Sequence, residues 1–491
     1  METLNNEQKQ ALELMNGYSN VFLTGKAGVG KSYVIKKFLE LNKDTRNIIV
    51  AAPTGVAANN IGGSTLHRVF NIPVSSIVIY NHKAIPKVIQ HCDTIIIDEV
   101  SMLRRDIFTY VVEVIQATEQ KLNKKIQLIV SGDFYQLPPV LNYDDKEIMN
   151  KYYGEDVGNA YAFESECWDK CNFVFCELTQ IMRQDDEEFI HNLNLCRIGD
   201  SECLKYFNEK VKKKDEYYDS NCIHVVSRNV KAKEINNTEL SKINAKEHTF
   251  HAEKEGTPDI VCEIDLKLKV GARIMSLVNE PTLRYSNGSL GVITAIHEDS
   301  VSVRFDNGYE CIIKEYKWET YKYDLQKEKD EFGINKTKLK RTIVGSIKQL
   351  PIRLSYAITI HKSQGQTYNS MFFQPTIWEY GQLYVGLSRV KTADQLIIGN
   401  RIYPNQLKVS QKVIDFYKRC DLQQQSGQKI YSIGETVKVK SRDVIIISNK
   451  VVDSSLQNDY IGIDFEKGYC GESSLLFFDF NDIQLNILSE R

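Results

Sequence analysis

In the stretch VFLTGKAGVGKS, Gly25 is followed after four residues by Gly30-Lys31-Ser32, a spacing suited to holding phosphate. Glycines at 25, 28 and 30, with Val29 between the last two, let backbone N–H groups turn inward around phosphate oxygens. Lys31 can reach β and γ phosphates of ATP, and Ser32 can ligate Mg2+. Asp98-Glu99 follow the apolar run Thr94 to Ile97, which sets both carboxylates at the carboxyl end of a strand, where α/β sheets bind ligands. There Asp98 would hold magnesium and Glu99 would polarise an attacking water; the competing reading is an N-cap pair for a helix starting near Ser101. SGDFYQLPPV repeats the placement one strand later, with Gln136 able to sense a γ-phosphate and Asp133 bracing the turn. Phosphoryl transfer needs positive charge as its transition state forms, and two arginines are candidates: Arg183 in LTQIMRQ and Arg389 in GQLYVGLSRVK.

Positioning these groups takes a particular set of elements. Val21 to Leu23 reads as a buried parallel strand, and Val34, Ile35, Phe38 and Leu39 give the next segment a helical period. Apolar runs from Asn47, Asp93, Ile126 and Asn172 continue the alternation, and a second set follows from Ile223, Leu354, Ser370 and Gln395. The expected class is α/β, with two parallel-sheet lobes. Between the second set's members, Val301, Val303 and Phe305 alternate with polar residues before the turn Asp306-Asn307-Gly308, the pattern of an antiparallel β-module. The charged stretch 314–341 reads as an exposed excursion of that module, DLQQQSGQ from Asp421 as a linker, and the remainder as a β-rich tail. A length of 491 residues suggests roughly three domains at about 150 residues each. The 62 Lys and Arg balance 64 Asp and Glu, so any nucleic-acid contact must be local. Eleven cysteines without a CxxC pair suit a reducing intracellular compartment, nucleus or cytoplasm; Cys167, Cys171 and Cys176 lack zinc-site spacing and read as packing. No apolar run reaches membrane-spanning length, and no secretory or mitochondrial presequence is evident.

Taken in order, LNNEQKQAL, GKAGVGKS, APTGVAA, STLHRVF, IIIDEVSML, IQLIVSGDFYQLPPV, LTQIMRQ, LNLCRIG, LKVGARIMSLVN, YSNGSLGVI, ITIHKSQGQT and YVGLSRVK resemble the motif series of a superfamily-one class B DNA helicase. SML after the acidic pair, together with GDFYQLPPV, favours the Pif-type (petite integration frequency) branch over its RecD and Dda relatives. The resemblance covers Leu4 to about Ile398 and implies RecA-like lobes, an SH3-like insert, ATP with Mg2+, and 5′ to 3′ movement on single-stranded DNA with unwinding of duplexes. It also implies that Gln8 reads the adenine edge, and that Gln136, Arg183, Gln364 and Arg389 meet the γ-phosphate, with Gly365 beside them. Arg104-Arg105 after SML and Met182 before Arg183 depart from the family pattern.

A motor on single strands needs phosphate donors in both lobes and flat groups on which bases stack. Thr54 and Gly55 at a strand-to-helix turn, with His67 and Phe70 nearby, could serve in the first lobe; burial is the competing reading for His67 and Phe70. Thr359, His361 and Lys362 could serve in the second, with Ser363, Gln364 and Gly365 lying between the two ligands. A subunit-dependent ATPase switch would not carry both TIHKSQG and GLSR in one chain, and a silent scaffold need not keep Lys31, Glu99 and Arg389. The expected division is a first lobe over 1–183 with a small insert near 64–90, a second lobe over 184–280 and 350–420, the β insert over 281–349, and a linker and tail over 421–491. The expected partners are single-stranded and forked DNA, met by a monomeric motor with protein partners through the tail; no membrane is expected.

Overall fold

The computed structural model describes residues 4–73, 77–80, 85–184, 186–212, 222–280, 282, 284–329 and 335–426, together with strands at 436–439, 442–448, 460–464 and 475–478. Residues 1–414 form one compact unit and 415–491 another. Among the described residues no helix is long and apolar enough to cross a membrane.

The first sheet has six strands: β1 (Val21–Gly25), β2 (Ile48–Ala52), β3 (Ser64–Thr65), β4 (Thr94–Ile97), β5 (Gln127–Ser131) and β6 (Val174–Leu178). Their order is β3-β2-β4-β5-β1-β6, and every pairing is parallel. Parallel pairing requires crossovers, and helices such as Lys31–Asn42 and Arg105–Leu122 supply them while covering the sheet, so the central strands are buried throughout. On one face Phe22 meets Phe134, Trp168 and Phe175 at ring separations of 5.6, 5.4 and 5.8 Å. The order matters for chemistry: β5 lies between β1 and β4, so the loop after β1, the turn after β5 and the carboxylates after β4 end side by side. The strand β3 departs from the expected small insert near 64–90. Ser64 and Thr65 pair with Ala51 and Ala52, so that segment joins the main sheet; 74–76 and 81–84 of the expected insert lie outside the described residues.

Four parallel strands build the second sheet in the order Ala357–Thr359, Ile223–Val226, Met371–Phe373, Leu396–Ile398. All four match apolar runs in the sequence. A five-stranded antiparallel sheet interrupts this lobe, with Ser300–Phe305 turning through Gly308 (φ 89°) onto Glu310–Lys314. Its boundaries are wider than 281–349, because Arg273–Ser276 and Ile352–Leu354 also pair within it. Those two strands share a core with Val301, Val303 and Phe305, and burial of that common face draws them in.

The charged stretch is not a loose excursion. Tyr316–Lys329 and Asn335–Gln349 form a long hairpin that docks on the first lobe beside β3. The buried Tyr323 hydroxyl accepts from the Val50 N–H at 2.8 Å, and Ser64 Oγ donates to the Tyr321 carbonyl at 3.0 Å. Arg68 pairs with Asp259 at 3.0 Å, and the Asp259 N–H is held by Thr320 Oγ1 at 2.9 Å. The helix Gln411–Ser426 covers 421–426, where a linker is expected, and the tail holds a four-stranded antiparallel sheet. Replacing Tyr323 by Phe strips the Val50 N–H of its partner, which costs about 1–3 kcal/mol when the donor stays buried. Peptide-level hydrogen exchange should show faster exchange around Val50 in Tyr323→Phe; unchanged protection there would mean that the hairpin does not hold the first lobe.

Candidate nucleotide and nucleic-acid site

After β1 the chain takes positive φ at Gly25 (139°), Gly28 (85°) and Gly30 (89°), a path that L side chains rarely follow. Space forbids side chains as well: a Cβ on Gly28 would lie 2.5 Å from Arg183 Cβ, and one on Gly30 2.7 Å from Gln8 Nε2. Lys31 opens the helix and donates through Nζ to the Gly25 carbonyl at 2.7 Å and the Lys26 carbonyl at 3.2 Å. Gln8, locked by a capping box with Asn5, donates to the Val29 carbonyl at 3.2 Å. Ser32 Oγ donates to Asp98 Oδ2 across 3.5 Å.

Asp98 and Glu99 do end β4 as expected, and Glu99 has φ 55°, a left-handed backbone at the carboxylate itself. Burial pushes both carboxyls up, and for Glu99, to which the neighbouring Asp98 adds, the value reaches about 7. Burial lowers Lys31, while Asp133, Glu99 and Asp98 pull it the other way. This is a cavity wall that gathers charge of both signs around a glycine cradle. It fits a nucleoside triphosphate with magnesium held by Ser32 and Asp98. Magnesium, when bound, supplies the charge that restores ionised carboxylates and offsets the phosphates. Among the described residues no group of three or more His, Cys, Asp or Glu could hold a metal, and Cys167, Cys171 and Cys176 are buried in packing.

The second lobe closes on this wall through its own turn. Gln364 Nε2 donates to Glu99 Oε2 at 3.1 Å and lies 3.5 Å from Gln136 Oε1. Gln136 donates to Asp133 at 3.2 Å, and Asp133 in turn is fixed by Arg197, whose Nη2 and Nε lie 3.0 and 3.3 Å from its carboxylate. Arg183 crosses between lobes: its Nη2 donates to the Gly365 carbonyl at 3.3 Å, while Nη1 is buried with no partner. Arg389 is placed differently from the expected reach across the cleft. It is 1% exposed and its donors are spent inside its own lobe, on the carbonyls of Val385, Ser363 and Gln366 and on Ser388 Oγ. Burial, then the nearby Arg183 charge, lowers it to about 9. Arg197, Gln184 and Tyr384 were not singled out from the sequence. Tyr384 Oη accepts from the Ala27 N–H at 3.0 Å, and Gln184 donates to Ser388 and Val390. Their signal lay in LNLCRIG, LTQIMRQ and YVGLSRVK, where each looks like an ordinary helix or loop residue.

The expected strand-binding residues separate into surface and buried ones. Thr54 caps the helix that Gly55 begins, its Oγ1 accepting from Ala57 N at 3.2 Å. With Pro53, Leu66, His67, Arg104 and Val140, Thr54 lines a groove of about 150 Å³. Phe70 is excluded: it is 0% exposed, since the short helix Leu66–Phe70 turns that ring into the core. Thr359 is buried and caps the turn that follows, accepting from Lys362 N at 3.3 Å. His361 is partly exposed and Lys362 exposed; burial lowers the His361 and His67 imidazoles.

Fold and site together define a two-lobed nucleoside triphosphatase with its catalytic wall at the seam between two parallel sheets. A family model described as PIF1-like helicase matches residues 3–199. The chain is 31% identical over 450 residues to the ATP-dependent DNA helicase Pif1 of Campylobacter jejuni, covering 83% of this chain and 96% of that one. Among solved structures it is similar to Bacteroides Pif1 in complex with ADP-AlF4, with TM-score 0.75, 32% identity and coverage of 87% and 98% of the two chains. Bacteroides Pif1 bound to ssDNA matches with TM-score 0.61 and 32% identity over the same shares. The chain belongs to the Pif1-like helicase family.

Removing one partner of a buried ion pair leaves an uncompensated charge and costs about 3–5 kcal/mol. Arg197→Met should therefore lower the thermal midpoint strongly, and adding Asp133→Asn should recover part of the loss. A double variant no more stable than the single one would remove this pair as the seam's tie.

Proposed function

We propose that this chain is an ATP-dependent DNA helicase that moves 5′ to 3′ along single-stranded DNA and separates duplexes ahead of it. The observation that carries the reading is the turn Thr359–Gly365. Its far end bonds Glu99 and approaches Gln136 at the nucleotide wall, while His361 and Lys362 in the same turn reach solvent. One short segment thus touches both ligands. Lys31 and the N–H groups of Gly25, Gly28, Val29 and Gly30 hold the phosphates, Ser32 and Asp98 the metal, and Glu99 the attacking water. Gln8 reads the base, Gln136 and Gln364 sense the γ-phosphate, and Gly365 lets the turn approach it. Arg183 supplies charge at the seam, with Arg389 behind it. On the strand side, Thr54, Gly55 and His67 act from the first lobe, and His361 and Lys362 from the second, on the turn that buried Thr359 caps. The polarity rests on the family resemblance, as do the SH3-like character of the insert and the choice of forked DNA. The motor acts as a monomer, and the tail serves as an accessory module for protein partners.

Lys31→Ala should abolish turnover while leaving single-strand binding in place, and Glu99→Gln should bind ATP yet hydrolyse it very slowly; steady-state ATPase with nucleotide titration reads both. Turnover of the wild-type protein should be low alone and rise strongly with single-stranded DNA, because the cleft is completed only when both lobes grip the strand. Duplexes with a 5′ tail should be unwound and those with a 3′ tail should not. A charged finger is worth about 10³–10⁵ in rate in related phosphoryl-transfer enzymes. Arg389 is bonded within its own lobe, so it can act as a finger only where lobe closure turns its fork to the γ-phosphate; in that case Arg389→Lys should lose at least about a hundredfold in DNA-stimulated turnover, with much less change in ATP affinity. Near-wild-type hydrolysis would make Arg389 structural and leave the finger to Arg183.

A further inference from the structure

We propose that the Trp378 indole is a stacking platform for a base of the bound strand, set beside the His361 imidazole. The inference rests on the helicase reading and adds a residue that none of the motifs contains. Trp378 is 45% exposed, one of the larger aromatic surfaces on the second lobe. A single exposed aromatic is ordinary on a protein surface, but the backbone that carries this one is tied down on both sides. The buried Gln382 accepts from the N–H groups of Trp378 and Glu379 at 3.2 and 3.3 Å, and Lys408 Nζ donates to the Trp378 carbonyl at 3.0 Å. Asn159 of the first lobe fixes Glu379 at 3.1 Å. Gly381 presses so closely on the turn carrying Gln136 that a Cβ would lie 2.3 Å from the Gln136 carbonyl oxygen.

The indole lies nearly parallel to His361, with an interplanar angle of 26° and centroids 6.5 Å apart. Stacked bases rise by about 3.4 Å. At nearly twice that separation the two rings are not in face-to-face contact, and the exposed indole keeps surface for a nucleobase. Exposed Lys362 adjoins His361 and supplies a cation for the phosphate between bases. From Trp378 the chain runs directly into the helix Gln382–Leu387, whose Tyr384 holds the phosphate loop at Ala27 and whose end leads to Arg389. A base seated on the indole is therefore one short helix from the nucleotide.

Aromatic stacking on a base is worth about 5- to 150-fold in affinity. Anisotropy titration of a labelled oligothymidylate should show Trp378→Ala binding weaker by a factor in that range and Trp378→Phe by less. Abasic sites in the oligonucleotide should weaken binding to the wild type more than to Trp378→Ala, because the variant has already lost the indole contact. Oligothymidylate should also quench the tryptophan fluorescence of the wild type far more than that of Trp378→Phe, in a chain with only three tryptophans. Wild-type protein that neither binds the oligonucleotide nor responds to it would overturn the helicase reading and this inference together. Normal binding with equal affinity and equal quenching in the variants would overturn the platform alone.

Discussion

A buried ion pair, Asp133 with Arg197, carries the geometry of the seam. Asp133 stands at the end of β5 in the first sheet, and Arg197 comes from the helix Glu187–Ile198, whose Phe189, Leu193 and Cys196 pack in the second lobe's core. Both side chains are nearly out of solvent, so each charge leans on the other, with Glu177 a more distant second carboxylate for Arg197 at 3.9 Å. The Arg197 guanidinium also lies 4.3 Å over the Tyr135 ring. The same Asp133 carboxylate accepts from Gln136 and from the Tyr135 N–H, so the pair both ties the lobes and aims a side chain at the nucleotide wall. A water-exposed pair would be worth too little to do either.

With that tie in place, the charges on the wall become interdependent. Burial raises Glu99 and Asp98 and lowers Lys31 and Arg389, so the same exclusion of water disfavours the charged form of each group. The seam is thus short of counter-charge on both sides. Lys31 would meet the phosphates, and Ser32 and Asp98 would hold magnesium, which would supply positive charge beside the buried carboxylates. Gln364 is neutral, and it can bridge Glu99 and Gln136 without adding to the imbalance.

The parts legible in the sequence are those with a local cause. Apolar runs such as Thr94 to Ile97 are long enough to announce buried parallel strands, and the glycine loop and carboxylates fall at strand ends by spacing alone. β3 is two residues long and has no period to read. Phe70 is flanked by Leu66 and Val69, all three buried, so the ring belongs to a core face that a two-turn pattern is too short to reveal. Strands with charges on both faces show no alternation, which hid the hairpin until Tyr323 met Val50. The module's outer strands are set by pairing between distant segments, Arg273–Ser276 with Ile352–Leu354, and local pattern does not encode partners. Arg197 fails for the same reason, since a helix arginine reads as solvated until another lobe supplies its carboxylate.

The turn Ser363 to Gln366 shows how a grip on one ligand can reach the other without a long relay. Ser363 and Gln366 carbonyls accept from Arg389, the Gly365 carbonyl accepts from Arg183, and Gln364 reaches Glu99. At the same time Gln366 Nε2 donates to Asn287 in the antiparallel module at 3.2 Å, and a Cβ on Gly288 would collide with it. Four consecutive residues are therefore bonded to both arginines, to the carboxylate wall and to the module. Such a segment cannot shift at Thr359 without altering the donors around Glu99, because a few bonded residues join the two ends. Coupling here is a matter of shared backbone: the carbonyls that orient the arginines belong to the same turn that begins at the Thr359 cap, so the placement of His361 and Lys362 and that of the two arginines are two aspects of one local conformation.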